Sequence, residues 1–333
     1  MKLLITGGSG FMGSNFIKHI LKCYPEYCIV NLDKLTYAGN MDNLRDIANH
    51  PRHTFIKGDI ANPKLIDAIL RKGCDAIINY AAETHVDRSI RNSKTFLETE
   101  IFGTYTLLEG VKKYKVERFI QISTDEVYGQ IQRGKFTERS ALKPRNPYAA
   151  AKAGADLLCE AYAHTHGIPV IITRSCNFYG PNHYPEKFIP LAITNLLEEG
   201  KILVYGTGQE RREWIYAHDH CRAIDLILHT GMIGEIYNIS TGVEIANINT
   251  AKKIARFLHK NESCIEFIKN RSGHDFRYAL STKKLKKLGF KPLYTFHQGL
   301  KETITWFQHN KWWWEKIKNS AEFKKYYKNQ YAK

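Results

Sequence analysis

Tyr148 and Lys152 stand four residues apart, which places both side chains on one face of the helix expected to begin after Pro147. An ammonium beside a phenol stabilises the phenolate. The pair is therefore expected to lower a tyrosine pKa that is ordinarily about 10 and to let Tyr148 take a proton from a hydroxyl as a hydride departs. A second cluster, Ser123-Thr124-Asp125-Glu126-Val127-Tyr128-Gly129, follows the β-branched run RFIQIST. Two adjacent carboxyls in a loop read in isolation as a solvated turn. At the carboxyl end of a strand, on the edge where Tyr148 is also expected, they read as an acid and a base.

A third cluster binds rather than reacts. The run LLIT leads straight into Gly7-Gly8-Ser9-Gly10-Phe11-Met12-Gly13, and an apolar helical pattern follows from Phe16. Gly7, Gly10 and Gly13 permit a tight turn, a close approach to a pyrophosphate and close packing of the helix on the sheet, with the helix N-terminus facing the anion. The run CIVNLD ends at Asp33, about twenty residues past Gly13, where a carboxylate can accept both ribose hydroxyls. That favours NAD, because a 2′-phosphate calls for arginine or a small residue; neighbouring Lys34 leaves NADP open.

Positioning these clusters requires alternating strands and helices. LLIT, CIVNLD, HTFIKGD, DAIINYAA, RFIQIST and PVIITR are separated by amphipathic stretches, the pattern of a doubly wound parallel sheet covered by helices on both faces. After Arg174 the pattern is irregular, with Pro181, Pro185 and Pro190 close together, and a smaller loop-rich lobe with few clear strands is expected. HDHCRAIDLILHTG nevertheless reads as a sheet-covering helix and EIYNIS as a buried strand. The expected division is residues 1–175, with 215–240 returning to them, as a Rossmann-type dinucleotide domain, and residues 176–214 and 241–333 as a discontinuous α/β substrate lobe.

Composition excludes several classes. With 333 residues and 43% hydrophobic content the chain can bury a substantial core, and no apolar stretch approaches about eighteen residues. The N-terminus lacks the order of a secretory signal. Seven scattered cysteines show no metal-ligand spacing, so no metal site and a reducing cytoplasm are expected. The net charge of +16 is spread along the chain rather than gathered in one stripe, which argues against nucleic acid and is partly explained by a phosphate-bearing substrate.

The chain resembles the extended short-chain dehydrogenases/reductases, and within them the dTDP-glucose 4,6-dehydratases, through TGGSGFMGSNF, NLDKLTYAGN, AAETHVDRSI, STDEVYG, PYAAAK, YPEKFIPL, RREW, GHDFRYA and a Trp-rich end. Related epimerases and UDP-glucuronate decarboxylases usually carry Ser-Ser before VYG, whereas Asp125-Glu126 matches the dehydratase signature. The resemblance implies an NAD-dependent lyase of deoxysugar biosynthesis. Tyr148, assisted by Thr124, would deprotonate the sugar 4-hydroxyl as hydride passes from C4 to NAD, Glu126 would remove the C5 proton, Asp125 would protonate the departing C6 hydroxyl, and NADH would return hydride to C6.

The resemblance also implies that Phe11, Met12, Asp33, Lys34, Leu35, Thr36, Asp59, Ile60, Ala81, Ala82, Glu83, Thr84 and Thr99 line the NAD site with the glycines, Tyr148 and Lys152. Thr84, Asn177, Glu186, Lys187, Arg212, Asn247, Arg271 and His274 would join Thr124, Asp125 and Glu126 around the nucleotide sugar, with Leu203, Val204 and Tyr205 near the base. Glu100 stands where Asn commonly follows Thr99. Phe178, Phe276, Thr207, Glu213, Ala149 and Ala151 are further departures, and none falls on the catalytic set. UDP-glucose remains an alternative substrate, a UDP-sugar epimerase or decarboxylase a more distant one, and a non-catalytic NAD sensor a different class that typically loses the Tyr/Lys pair. A homodimer is expected through the helices around Phe96–Tyr114 and Tyr148–His164.

Overall fold

Each β-branched run of the first half forms a strand, and the amphipathic stretches between them supply the covering helices. The computed structural model describes residues 1–270 and 274–331. Strands β1 (Lys2–Thr6), β2 (Cys28–Asp33), β3 (His53–Lys57), β4 (Ala76–Asn79), β5 (Arg118–Thr124) and β6 (Val170–Ser175) lie in one parallel sheet. The remaining strands are β7 (Asn177–Tyr179), β8 (Ile202–Tyr205), β9 (Arg211–Tyr216), β10 (Ile236–Ile239), β11 (Glu244–Ala246) and β12 (Ile265–Ile268). The seven-stranded order is β10-β6-β5-β4-β1-β2-β3, so β10, formed from EIYNIS, pairs with β6 at the edge. Helices bury both faces, which is why these strands read as continuous apolar runs rather than alternating ones.

The strand order reverses between β1 and β4, and the carboxyl ends there open into a crevice. A buried polar chain crosses the same edge: Thr6 donates to Asn79 (2.6 Å), and Asn79 donates to Gln121 (2.8 Å). Helix Pro147–His166 is tied to the sheet by the buried pair of Arg174 and Asp156, 2.8 Å apart. Its proline at the first turn lacks a donor that would be unsatisfied there anyway, and Asn146 caps it by accepting from Ala149 N–H (2.8 Å). Helix Ala217–Thr230 lies beside Phe11–Cys23, where Tyr24 and His19 both engage Asp225.

Beyond β6 the strands are more numerous than the sequence suggests. β7, β9 and β11 form a three-stranded sheet, and β8 pairs with β12. At three to six residues each, most are too short to display a period-two pattern. Their core is aromatic, with Trp313 and Trp314 almost fully buried; Trp313 donates to Asn43 (2.8 Å), joining the C-terminal helices to the region after β2. Thr99 and Glu100 sit on a π-helical segment, Glu98–Gly103, a widened turn often found at functional sites.

Candidate active site

A single cavity follows the carboxyl edge of the large sheet and continues between β8, β9 and the C-terminal helix. At one end the turn after β1 is held by its glycines. Gly7 has φ +65°, and a Cβ there would stand 2.7 Å from the Ala81 backbone; at Gly13 a Cβ would stand 2.3 Å from the Gly7 carbonyl oxygen. The chain can therefore fold this tightly only without side chains, which leaves the N-terminus of helix Phe11–Cys23 facing the cavity.

Asp33 stands at the end of β2 with each carboxylate oxygen already accepting one backbone N–H, from Ser9 (2.9 Å) and Leu35 (2.7 Å). Burial raises its pKa while these two bonds lower it. A carboxylate has about four acceptor sites, so the remaining lone pairs fit a ribose diol. Lys34 is drawn aside into a 2.6 Å pair with Asp59. The glycine turn, the helix N-terminus and Asp33 together fit the pyrophosphate and ribose of NAD.

Farther along the cavity, Thr124, Asp125 and Glu126 close the end of β5. Asp125 is buried, and its Oδ2 has no hydrogen-bond partner. Burial, then the charges of Glu126 and Glu213, push its pKa well above the carboxylate range. Glu126 is only half-buried and accepts from Asn146 Nδ2 at 3.0 Å. Burial thus favours the protonated form of one carboxyl, and its neighbour lies in a more polar setting.

Tyr148 differs from expectation. Burial, reinforced by Glu126 and Glu100, raises its pKa well above 10, and Thr124 is the group that acts to lower it. The Lys152 ammonium lies 3.0 Å from Glu100 Oε2 and donates to the Ile122 carbonyl at 3.0 Å.

Every described residue expected around cofactor or substrate lines this cavity except Leu35. Leu35 adopts φ 55° and contributes its backbone N–H to Asp33, so its role is in the turn and not on the wall. Arg271 lies outside the described residues. Arg212 reaches the cavity, but it donates to the carbonyls of Arg211 (2.8 Å) and Asp275 (2.7 Å) and faces Tyr278, so a diphosphate would meet only its remaining N–H groups. The buried Asn177 Oδ1 has no partner, while Lys187 donates to the Thr84 carbonyl at 2.7 Å. Glu186 accepts from Tyr37 (2.8 Å) and pairs with Arg88 (3.2 Å). His274 contacts Asn270 at 2.7 Å, and the Tyr205 hydroxyl accepts from Gln330 at 2.7 Å.

Sequence reasoning missed Tyr37, His183, Tyr184, Trp214 and Tyr331 on the wall. Tyr37 adjoins Thr36 in a motif already singled out, which is a usable signal. His183, stacked on Phe11 with ring centroids 4.2 Å apart, offers none, because only the fold brings the two together.

A glycine-rich first crossover, a ribose-binding carboxylate and a Tyr/Lys pair on one sheet edge define a nucleotide-dependent short-chain dehydrogenase/reductase. The chain belongs, within that class, to the nucleotide-sugar 4,6-dehydratase family, since residues 4–303 match the family model described as GDP-mannose 4,6 dehydratase. It is 48% identical over 307 residues to the low-salt glycan biosynthesis protein Agl12 of Haloferax volcanii, covering 92% of this chain and 98% of that one. It is 45% identical to a dTDP-glucose 4,6-dehydratase of Streptomyces niveus, covering 97% of each. The solved dTDP-glucose 4,6-dehydratase DesIV of Streptomyces venezuelae, with NAD bound, superposes with a TM-score of 0.93 at 46% identity, over 95% of this chain and 100% of that one.

Proposed function

We propose that this chain is an NAD-dependent hydro-lyase that converts dTDP-glucose to its 4-keto-6-deoxy derivative. The observation that carries this reading is the juxtaposition of Asp125 and Glu126 with Tyr148 on one wall of a dinucleotide cavity. When bound, NAD supplies the hydride acceptor for C4 and the hydride donor for C6. Tyr148, oriented with Thr124, takes the proton of the 4-hydroxyl. The resulting ketone acidifies C5, and Glu126, steadied by Asn146, removes that proton. Asp125, whose protonated form burial favours, gives its proton to the C6 hydroxyl, which leaves as water.

In this reading residues 1–175 with 215–240 hold the dinucleotide, while 176–214 and 241–333 hold the nucleotide sugar. Asn177, Glu186, Lys187, Arg212, Asn247 and His274 face that sugar, with Leu203, Val204 and Tyr205 beside its base. Two copies would associate through Leu97, Phe102, Tyr105 and Leu157, large apolar side chains 45 to 60% exposed on neighbouring helical segments. No described helix is long and apolar enough to cross a membrane, and the free state of all seven cysteines suits a reducing cytoplasm.

Incubation of the purified protein with dTDP-glucose and, separately, UDP-glucose tests the reading. An alkali-induced 4-keto-sugar absorbance with dTDP-glucose supports it; a product formed only from UDP-glucose moves the assignment to the alternative nucleotide, and an epimer in place of a ketone rejects dehydration. For the dimer, light scattering is expected to give twice the 38.4 kDa chain mass, and Phe102→Asp with Leu157→Asp to give the monomer.

A further inference from the structure

Lys152 has three N–H donors and almost no exposure. The ammonium donates to the Ile122 carbonyl at 3.0 Å and lies 3.0 Å from Glu100 Oε2, an ion pair without hydrogen-bond alignment, and the side chain also lines the cavity. Glu100 itself is completely buried and is not on the cavity wall, so it can touch neither substrate nor cofactor. It approaches Lys152 from behind, on the π-helical segment Glu98–Gly103. The two elements are tightly apposed there: a Cβ on Gly154 of the Tyr148 helix would stand 2.6 Å from Ile101 Cδ1.

We propose that Glu100 is a positioning residue for the reaction, whose carboxylate anchors Lys152 and, by offsetting the ammonium charge, sets the pH at which Tyr148 works. This rests on the reading of Tyr148 as the residue that accepts the 4-hydroxyl proton. A free buried ammonium would present a full cation to the phenol, whereas a paired one presents a dipole whose field falls off faster and favours phenolate less. The surrounding charges do not make up the difference. Helix Pro147–His166 contributes Asp156, which Arg174 of β6 neutralises; the segment after β4 contributes Glu83; the turn after β5 contributes Asp125 and Glu126. Arg88 and Lys34 act on Glu83 and Arg212 acts on Asp125, so Lys152 is the cation left to Glu100, which takes up much of its charge. The imprint is visible on both sides: Glu100 contributes to holding Tyr148 above the ordinary phenol range and to raising Glu83 to about 7, where burial is the larger cause.

A purely structural ion pair would leave the pH dependence unchanged. The test is Glu100→Gln, nearly the same size without the charge, measured as the pH profiles of kcat and KM for dTDP-glucose with the NAD-loaded protein. The rising acid limb is expected to move down by about one pH unit or more, with KM altered by no more than about twofold. Glu100→Asp, which keeps the charge, is expected to return the limb toward the wild-type position at a reduced rate. An unmoved limb in Glu100→Gln overturns the proposal.

A second readout does not need activity. Lys152→Met strands Glu100 as a buried unpaired carboxyl, so adding Glu100→Gln to it is expected to raise Tm; no rise, or a fall, overturns the anchoring. This comparison also decides the matter should Glu100→Gln alone not fold. A wild-type protein inert toward dTDP-glucose would instead count against the functional reading, while the Tm comparison would still report on the pair.

Discussion

Asn146 joins the cap of the catalytic helix to the elimination base: its Oδ1 accepts from Ala149 N–H at 2.8 Å while its Nδ2 donates to Glu126 at 3.0 Å. One side chain therefore fixes both the first turn carrying Tyr148 and the carboxylate expected to attack C5. The two functions are separable by substitution. Asn146→Ala is expected to cost about 1 kcal/mol of stability through the lost cap and to slow turnover as well. Asn146→Asp keeps a capping oxygen but sets a second carboxylate against Glu126 and removes its donor, so turnover is expected to fall by more than with Asn146→Ala at a comparable loss of Tm. Denaturation and steady-state rates on the two variants check this; equal rates for wild type and Asn146→Asp would remove Asn146 from the mechanism.

Glu126 carries the step that distinguishes dehydration from simple oxidation. Glu126→Gln keeps the size and some hydrogen bonding but cannot accept the C5 proton. Turnover is expected to fall about a hundredfold to ten-thousandfold, with substrate binding and the C4 oxidation largely retained. In deuterated water the wild-type product is expected to gain deuterium at C5, and the variant to show no C5 exchange in recovered substrate. Near-normal turnover would reduce Glu126 to a loop carboxylate.

Asp125 gives a dependence of stability on pH whose sign can be stated in advance. Its folded-state pKa lies well above the ordinary 3.8, so between these two values the folded state binds more protons than the unfolded one. Stability contributed at this position is then greatest at low pH and declines as pH rises through that window. Asp125→Asn removes the ionisation, so its Tm relative to wild type is expected to climb from about pH 4 toward neutrality, while turnover drops for want of the acid. A Tm difference that is flat with pH would show that Asp125 is not perturbed.

Asp33 decides the cofactor. Both oxygens are held by backbone donors in a geometry suited to two ribose hydroxyls, and a 2′-phosphate would meet a carboxylate at that point. Protein purified without added nucleotide is expected to release NAD(H) on acid treatment. Chromatography showing mainly NADP(H) would overturn this.

Much of this protein is legible from sequence because the signals are local. The glycines of Gly7–Gly13 act through φ and contact distance within one turn, Asp33 through its place at a strand end, and Tyr148 with Lys152 through helical spacing. Parallel strands buried on both faces announce themselves as apolar runs, so the order of strands and helices through β6 follows directly. The short strands after β6 do not, since three or four residues carry too little pattern.

What only the tertiary structure decided depends on distances that the chain does not encode locally. Lys152 beside Tyr148 reads as a means of lowering a phenol pKa, yet folding buries the phenol and sets Glu126 and Glu100 near it, both of which push that pKa up, while Glu100 also stands 3.0 Å from the ammonium. Arg212 reads as a free fork for a diphosphate, yet backbone carbonyls take several of its donors. Burial and Coulomb interactions depend on separation in space, so residues far apart in sequence, such as Asn43 and Trp313 or Glu100 and Lys152, set each other's state once the sheet and its helices have closed around them.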